Sequence, residues 1–259
     1  MLLILSIFFR VVPRKNIQGT FGLSYVEYCQ NHDNLEKGPY KSGNDNTYYY
    51  CDKETYQFNN CKFREIQMVG DRYSFLICTS NCNLMVENSD FTDVACYMKM
   101  ISCEDGDHLF TARSNTFTNP TFIKGIYKGA YLLSSDVSTT IFEDNKILFD
   151  TSNRKGVGMR VRYHTGSTIR RNIVKNGYYT EQKEASGLFF IEKGSKSDHL
   201  ILSDCIFTNC YAEDPSILEI KDLNYNLTIT NITFQQLENQ KGCIIKFTPS
   251  SVGTYGLTF

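Results

Sequence analysis

Apolar residues along this chain recur at fixed offsets from short polar ones, within an eight-residue phrase that returns seven times. The phrase reads Tyr56-Gln-Phe-Asn-Asn-Cys-Lys-Phe63, Leu84-Met-Val-Glu-Asn-Ser-Asp-Phe91, Phe110-Thr-Ala-Arg-Ser-Asn-Thr-Phe117 and Ser135-Asp-Val-Ser-Thr-Thr-Ile-Phe142. It returns as Ser167-Thr-Ile-Arg-Arg-Asn-Ile-Val174, Leu200-Ile-Leu-Ser-Asp-Cys-Ile-Phe207 and Leu227-Thr-Ile-Thr-Asn-Ile-Thr-Phe234. The last position is apolar every time, and so is the position five earlier: Phe58, Val86, Ala112, Val137, Ile169, Leu202 and Ile229. A straight strand alternates with period two, so residues five apart cannot share a face unless the backbone turns between them.

The turn has a chemical signature. Three residues before the end of each phrase stand Asn60, Asn88, Ser114, Thr139, Arg171, Asp204 and Asn231, six of them short and polar. Asn and Asp tolerate the left-handed region and bond their own backbone, which suits a tight corner between short strands. Two residues after each phrase come Glu65, Asp93, Asn119, Asp144, Asn176, Asn209 and Gln236, a second predicted turn. A third strand follows over Met159–Tyr163, Leu188–Glu192, Ile217–Lys221 and Ile244–Phe247.

Three short strands, two tight corners and one longer variable loop describe a single rung of a parallel β-helix, with each rung hydrogen-bonded to the next. The expected fold is all-β: a right-handed parallel β-helix solenoid of about seven rungs, roughly 34 Å tall at ordinary strand spacing. A β-sandwich also uses short strands and Asn- or Gly-rich turns, but it does not call for seven repeats of the same two apolar columns. One rung alone buries too little to offset the cost of ordering its backbone, so the units must stack. The expected division is a signal peptide over residues 1–15, an N-terminal cap over 16–55 containing the polar stretch Asn31–Asn46, and the β-helix over 56–259. Leu257-Thr-Phe259 reopens the phrase begun at Leu227, which reads as an unfinished rung, so a longer form or completion by another chain is expected.

Composition supports an all-β reading, with 18 Phe and 17 Tyr against no Trp and 5 Pro in 259 residues. A formal net charge of −1 removes the basic footprint that nucleic-acid binding requires. Ten cysteines, Cys29, Cys51, Cys61, Cys78, Cys82, Cys96, Cys103, Cys205, Cys210 and Cys243, point to an oxidising compartment and at least two disulfides. Cys78-x₃-Cys82 and Cys205-x₄-Cys210 are poorly matched as a zinc set, so no metal or other cofactor is expected. Met1-Leu-Leu-Ile-Leu-Ser-Ile-Phe-Phe9 has the length of a signal-peptide core and is too short to span a bilayer. Asn226-Leu-Thr and Asn231-Ile-Thr are glycosylation acceptors.

Phrases such as Leu200-Ile-Leu-Ser-Asp-Cys-Ile-Phe-Thr-Asn-Cys210 resemble rungs of the right-handed parallel β-helix, pectate-lyase-like superfamily. Within that superfamily the chain looks most like the cell-surface β-helix proteins of flagellate protists, similar in style to bacterial polymorphic outer-membrane proteins. Phe142-Glu-Asp-Asn145 fits their Phe-x-x-Asn signature, while the companion Gly-Gly-Ala-Ile does not occur. The resemblance implies an extracellular or surface-displayed protein that works by adhesion or glycan binding, with a polysaccharide lyase or glycoside hydrolase as the alternative.

No catalytic constellation accompanies the pattern. The Asp-Asp pair, His-Gly and Arg-Ile-Lys elements of pectic hydrolases are absent, as is a Gly-x-Ser-x-Gly turn. Asp90, Asp93, Glu104, Asp105 and Asp107 form the one dense acidic group and read as a solvated loop, and Gly156-Val-Gly158 reads as a bend before a strand. The candidate ligand surface is the solvent side of the third strand. If Met159, Val161 and Tyr163 point inward, alternation exposes Arg160, Arg162, Phe190, Glu192, Glu219, Lys221 and Lys246. Arginines beside an exposed aromatic ring suit sugars or a cell-surface protein as partners.

Overall fold

The computed structural model describes residues 21–22, 25–30, 40–42, 46–48, 55–64, 67–68, 76–79, 83–96, 99–122, 131–150, 159–179, 189–212, 216–223, 226–239, 243–249 and 257–258. They form a parallel β-helix dominated by one sheet of eighteen strands that bends around the corners of successive rungs. Each rung carries a first face and a second face, built from the two halves of the recurring phrase, and a third face built from the predicted third strand. A two-residue strand, such as Tyr178–Tyr179 or Tyr211–Ala212, follows the second face in a small separate sheet.

The corner between the first two faces sits where the polar column predicts it. Asn60, Asn88, Ser114, Asp144, Arg171, Asp204 and Asn231 all have φ between 50° and 56°. One left-handed residue places two consecutive side chains outside, so that positions 58, 61 and 63 all face inward and are buried. Hydrogen bonding runs through the bend without a gap: Ser114 donates its N–H to the Glu143 carbonyl at 2.9 Å, and Lys146 donates to the Asn115 carbonyl at 2.8 Å. The second turn repeats the device, with Asp93, Asn119, Asn176, Asn209 and Gln236 at φ between 51° and 57°.

The fourth phrase needs correcting. The structure pairs Ala112 with Phe142 and Phe117 with Ile147, so that rung reads Thr140-Ile-Phe-Glu-Asp-Asn-Lys-Ile147, five residues later than expected. Val137 and Phe142 also stand five apart, and that coincidence hid the shift. Thr139 lies in a strand paired with Gly166, and Asp144 is the first corner of its rung rather than the second. A β-branched Thr is a poor left-handed residue and Asp a good one, which is the reason the chain bends at 144.

The second-face column runs Phe63, Phe91, Phe117, Ile147, Val174, Phe207 and Phe234 in direct register. Ring centroids of Phe63 and Phe91 and of Phe91 and Phe117 lie 4.7 Å apart, and those of Phe207 and Phe234 5.3 Å, so stacking follows the rung spacing. On the third face, Ile101, Leu133, Met159, Phe189, Leu218 and Ile245 make another inward column. At the N-terminal end, Tyr25–Gln30 lies antiparallel on the first rung, pairing Tyr25 with Arg64 and Gln30 with Asn59. Leu257 and Thr258 pair with Leu227 and Thr228, the register their repeated phrase implies.

Directly after the first corner runs a buried polar column: Ser89, Asn115, Asn145 and Asn172, flanked by Cys61 and Cys205. Each asparagine is used in both directions along the axis. The Asn145 amide nitrogen donates to the Ala112 carbonyl at 2.8 Å on the rung before and to Asn172 Oδ1 at 2.9 Å on the rung after. Its Oδ1 accepts from the Asn115 backbone N–H at 3.2 Å and side-chain amide at 3.0 Å. Two tests separate the apolar and polar columns. Phe207→Ala empties a fully buried stacking position and is expected to cost about 3–5 kcal/mol in urea unfolding. A loss below about 1 kcal/mol would contradict the stacked core. Asn145→Ala strands two Asn115 donors and is expected to cost about 2–4 kcal/mol, whereas Asn59→Ala, which removes an exposed bond accepted from the Asn88 amide, should fall within about 0.5 kcal/mol of wild type.

Candidate functional site

The seven residues singled out on the third strand do come together. Register places Arg160, Phe190, Glu219 and Lys246 in one outward column, with Arg162, Glu192 and Lys221 in the next. Met159 and Val161 point inward as expected, and the Tyr163 side chain lies outside the described residues. The expected exposure holds in part, for Arg162, Lys221 and Lys246, and fails for the others. Phe190 is 4% exposed and Glu219 0%, and the Arg160 side chain retains only 11%. Met100, Leu132 and Ile217, each one residue before the inward column and so on the outer side, are also fully buried. The third face is therefore covered on both sides along these positions.

Covering this strip forces its charges to pair with one another, because unpaired charges cannot be withdrawn from water cheaply. Arg160 bridges three rungs, reaching Asp136 at 3.0 Å on one side and Glu192 at 3.2 Å on the other. Arg162 meets Glu192 at 2.8 Å, and Glu219 stands 3.4 Å from both Lys221 and Lys246. Burial pushes the Arg160 pKa down, but Asp136, Tyr131 and Glu192 outweigh it and hold the value above the ordinary one. The Arg160 guanidinium lies 5.7 Å from the Tyr131 ring and the Lys221 ammonium 5.2 Å from that of Phe190. In chemical terms this strip fastens rungs together. Its cations are already committed to carboxylates of the same strip.

A second charged ladder lies outside the first face. Glu87, Arg113, Glu143 and Arg170 alternate in sign from rung to rung, with contacts of 3.3, 3.2 and 2.6 Å. At the adjoining corner Arg171 holds Asp144 through two bonds of 2.7 and 2.8 Å. The hydrogen bond from Arg171, opposed by partial burial, keeps the Asp144 carboxyl below its ordinary pKa. Asp204 is lowered chiefly by the amide of Asn231, which donates to it at 2.7 Å.

The second face differs from both. Its outward positions carry Thr116, Thr118, Lys146, Leu148, Ile173, Lys175, Ile206 and Thr208, all partly or fully solvent-exposed. Lys146 and Lys175 stand on neighbouring rungs, and neither has an ion-pair partner among the described residues. Sequence reasoning missed this face, although the alternation Thr-Phe-Thr, Lys-Ile-Leu and Ile-Val-Lys marks its outer side chains directly.

Both glycosylation acceptors are accessible: Asn226 opens a strand and Asn231 occupies a corner of the same rung, each exposed. Among the described cysteines, Cys61 is disulfide-bonded, with its partner outside the described side chains, while Cys103, Cys205, Cys210 and Cys243 are not joined in disulfides. Burial pushes the Cys205 and Cys210 thiols up to about 11, and they bond the Ser203 and Thr208 carbonyls. Of the acidic group, Asp90 faces outward on the second face and Asp93 forms a corner; the side chains of Glu104, Asp105 and Asp107 lie outside the described residues, as do the signal-like start and Gly156-Val-Gly158. Among the described residues no cluster of three or more potential ligands would hold a metal, and no helix is long and apolar enough to cross a membrane.

The Asp144–Arg171 pair gives a pH test. A carboxyl lowered by folding contributes stability that is present above its unfolded value of 3.8 and is lost as pH falls through the lower folded value. Arg171→Gln should therefore unfold at lower urea than wild type near neutral pH, with the gap closing as pH falls from 3.8 through the lower folded value. A gap that stays constant across that range would show that the pair adds nothing through ionisation. Comparisons with protein-family models, with curated proteins and with solved structures gave no match.

Proposed function

We propose that this protein is a secreted or surface-displayed member of the right-handed, pectate-lyase-like β-helix superfamily that works by binding, holding extended acidic glycans along its second face. The observation that carries the reading is the contrast between faces. The third face and the ladder beside the first corner each pair their charges internally, whereas Lys146 and Lys175 stand on an open face without a carboxylate partner among the described residues. An extended sheet face with lysines on adjacent rungs fits a repeating polyanion, whose charges recur along one direction as the rungs do. Short Thr side chains around them leave the backbone plane accessible and offer hydroxyls to sugar oxygens. The pair of accessible sequons on one rung and the disulfide at Cys61 support an extracellular setting. Right-handed winding follows from the strong preference of parallel crossovers for that hand.

The test is a panel of acidic and neutral polysaccharides immobilised for surface binding, read for both affinity and released products. Affinity for acidic members that weakens with salt is expected, and Lys146→Ala with Lys175→Ala should reduce it about tenfold, ~0.7 kcal/mol per lysine. Equal binding by wild type and double variant would remove the second face as the site. Released unsaturated or reducing ends would replace binding with cleavage as the activity.

A further inference from the structure

We propose that Asn176 is a deamidation site that the closed rung protects and the opened rung exposes. Asn176-Gly177 is the only Asn-Gly pair in the sequence. Glycine after the amide leaves the attacking backbone nitrogen without a neighbouring β-carbon to crowd it. The other second-turn residues at left-handed φ, Asp93, Asn119, Asn209 and Gln236, are followed by Val94, Pro120, Cys210 and Leu237. Pro120 has no N–H to lose, and the others carry a side chain beside the nitrogen.

The chemistry requires Asn176 to turn its amide back onto its own main chain. The Gly177 nitrogen loses its proton and bonds to the Asn176 Cγ, the Cγ–Nδ2 bond breaks, and the amide leaves as ammonia, giving a cyclic imide. Water then adds to either carbonyl of the ring and opens it to aspartate or isoaspartate. In the folded chain both reacting groups are committed elsewhere. Asn176 Nδ2 donates to the Phe149 carbonyl at 2.9 Å on the rung before, and Oδ1 accepts from the Asn209 amide at 2.8 Å on the rung after. Gly177 is buried; its carbonyl accepts from the Tyr211 N–H at 2.8 Å, and its own N–H bonds the Cys210 sulfur. Ring closure therefore needs this rung to part from both neighbours. Closing again afterwards is opposed. Aspartate has no donor for the Phe149 carbonyl and sets a carboxylate against it. Isoaspartate adds a methylene to the main chain just before Tyr178–Tyr179, which pairs with Tyr211–Ala212. The site thus records an opening of the rung in one direction only.

The experiment incubates the full chain in one mildly alkaline buffer, folded in one arm and in guanidinium chloride in the other, and is independent of where the protein resides and of what it binds. Brief tryptic digestion releases the peptide Asn176–Lys183, in which Asn176 is the one asparagine, and mass spectrometry follows its conversion to the acid. Conversion in denaturant is expected to be at least about tenfold faster than in the folded chain, whose circular dichroism is checked throughout. Equal rates in the two arms overturn the proposal, because the rung then gives no protection. So does an Asn176 that stays intact in denaturant, because the site is then unreactive. A variant isolates the cross-rung bond: Asn209→Gly removes the donor to Asn176 Oδ1 while keeping a residue suited to left-handed φ. It should speed conversion in the folded chain about fivefold, the factor that one lost hydrogen bond supplies, and leave the rate in denaturant unchanged. A folded variant that converts at the wild-type rate would show that the neighbouring rung does not hold the amide.

Discussion

A chain that winds around a dry core has to reverse direction without turning its side chains inside out. In a straight strand the inward set recurs every second residue, and any bend that preserves that alternation carries the next apolar residue to the solvent side. A single left-handed residue solves this by placing two successive side chains outward. At Asn60, Asn88, Ser114, Asp144, Arg171, Asp204 and Asn231 the same φ, near 53°, performs the same switch. The apolar columns, the rung-to-rung register and the composition of each face all depend on it. The conformation costs a residue with a β-carbon about 1–2 kcal/mol, which is why short Asx side chains dominate the position. Arg171, the exception, is held in place by its paired bonds to Asp144.

The residue after the corner must then sit inside, where two strands diverge and backbone groups are hardest to satisfy. Asparagine answers this geometry because its amide can donate to the carbonyl of one rung while its oxygen accepts from the next. Asn115, Asn145 and Asn172 do this in sequence, each donating to a carbonyl three residues before the corresponding position of the preceding rung. A buried polar column of this kind is stable only when every member is satisfied. It therefore fixes register more sharply than stacked phenylalanines, which tolerate sliding. The column tapers into smaller or softer groups, Ser89 and Cys61 at one end and Cys205 at the other, where the Asn172 amide meets sulfur at 4.0 Å.

The corners and the apolar columns were legible in the sequence because each is a local rule repeated seven times. At Ser135–Phe142 the final apolar residue alone is ambiguous, because Val137 and Phe142 share the five-residue spacing of the two columns while the rung lies five residues later. The corner column carried the better signal, since Thr139 is chemically unsuited to the position that Asp144 fills. The pattern places the third strand but not the burial of its outer side at Phe190 and Glu219. Runs such as Tyr131-Leu-Leu133 and Leu188-Phe-Phe-Ile191 are continuous rather than alternating, the mark of a strand buried on both sides. That signal was present for Phe190 and was outweighed by the charged residues Arg160, Glu192 and Glu219, which look solvated in sequence and are paired across rungs in space. Pairing at sequence distances of 24 and 32 residues, as at Arg160, is invisible until the register is known.

The same register decides which face is left for function. In a solenoid, a charge on one rung lies about 4.8 Å from the residue above it, close enough that opposite charges in a column neutralise one another. The column Glu87, Arg113, Glu143, Arg170 and the strip around Arg160 both obey this rule, so their chemistry is spent on cohesion. Lys146 and Lys175 lie one rung apart and one column apart, on the diagonal, and the positions directly beside them are Ile173, Thr116, Leu148 and Thr208. Among the described residues no carboxylate stands on the rung directly above or below either lysine in its column; Asp90 shares the Lys146 column but lies two rungs away, beyond Thr116. Two adjacent rungs thus carry positive charge that no described carboxylate compensates, on a face whose shape is set by regular strands, and the proposed binding of an acidic glycan rests on that charge.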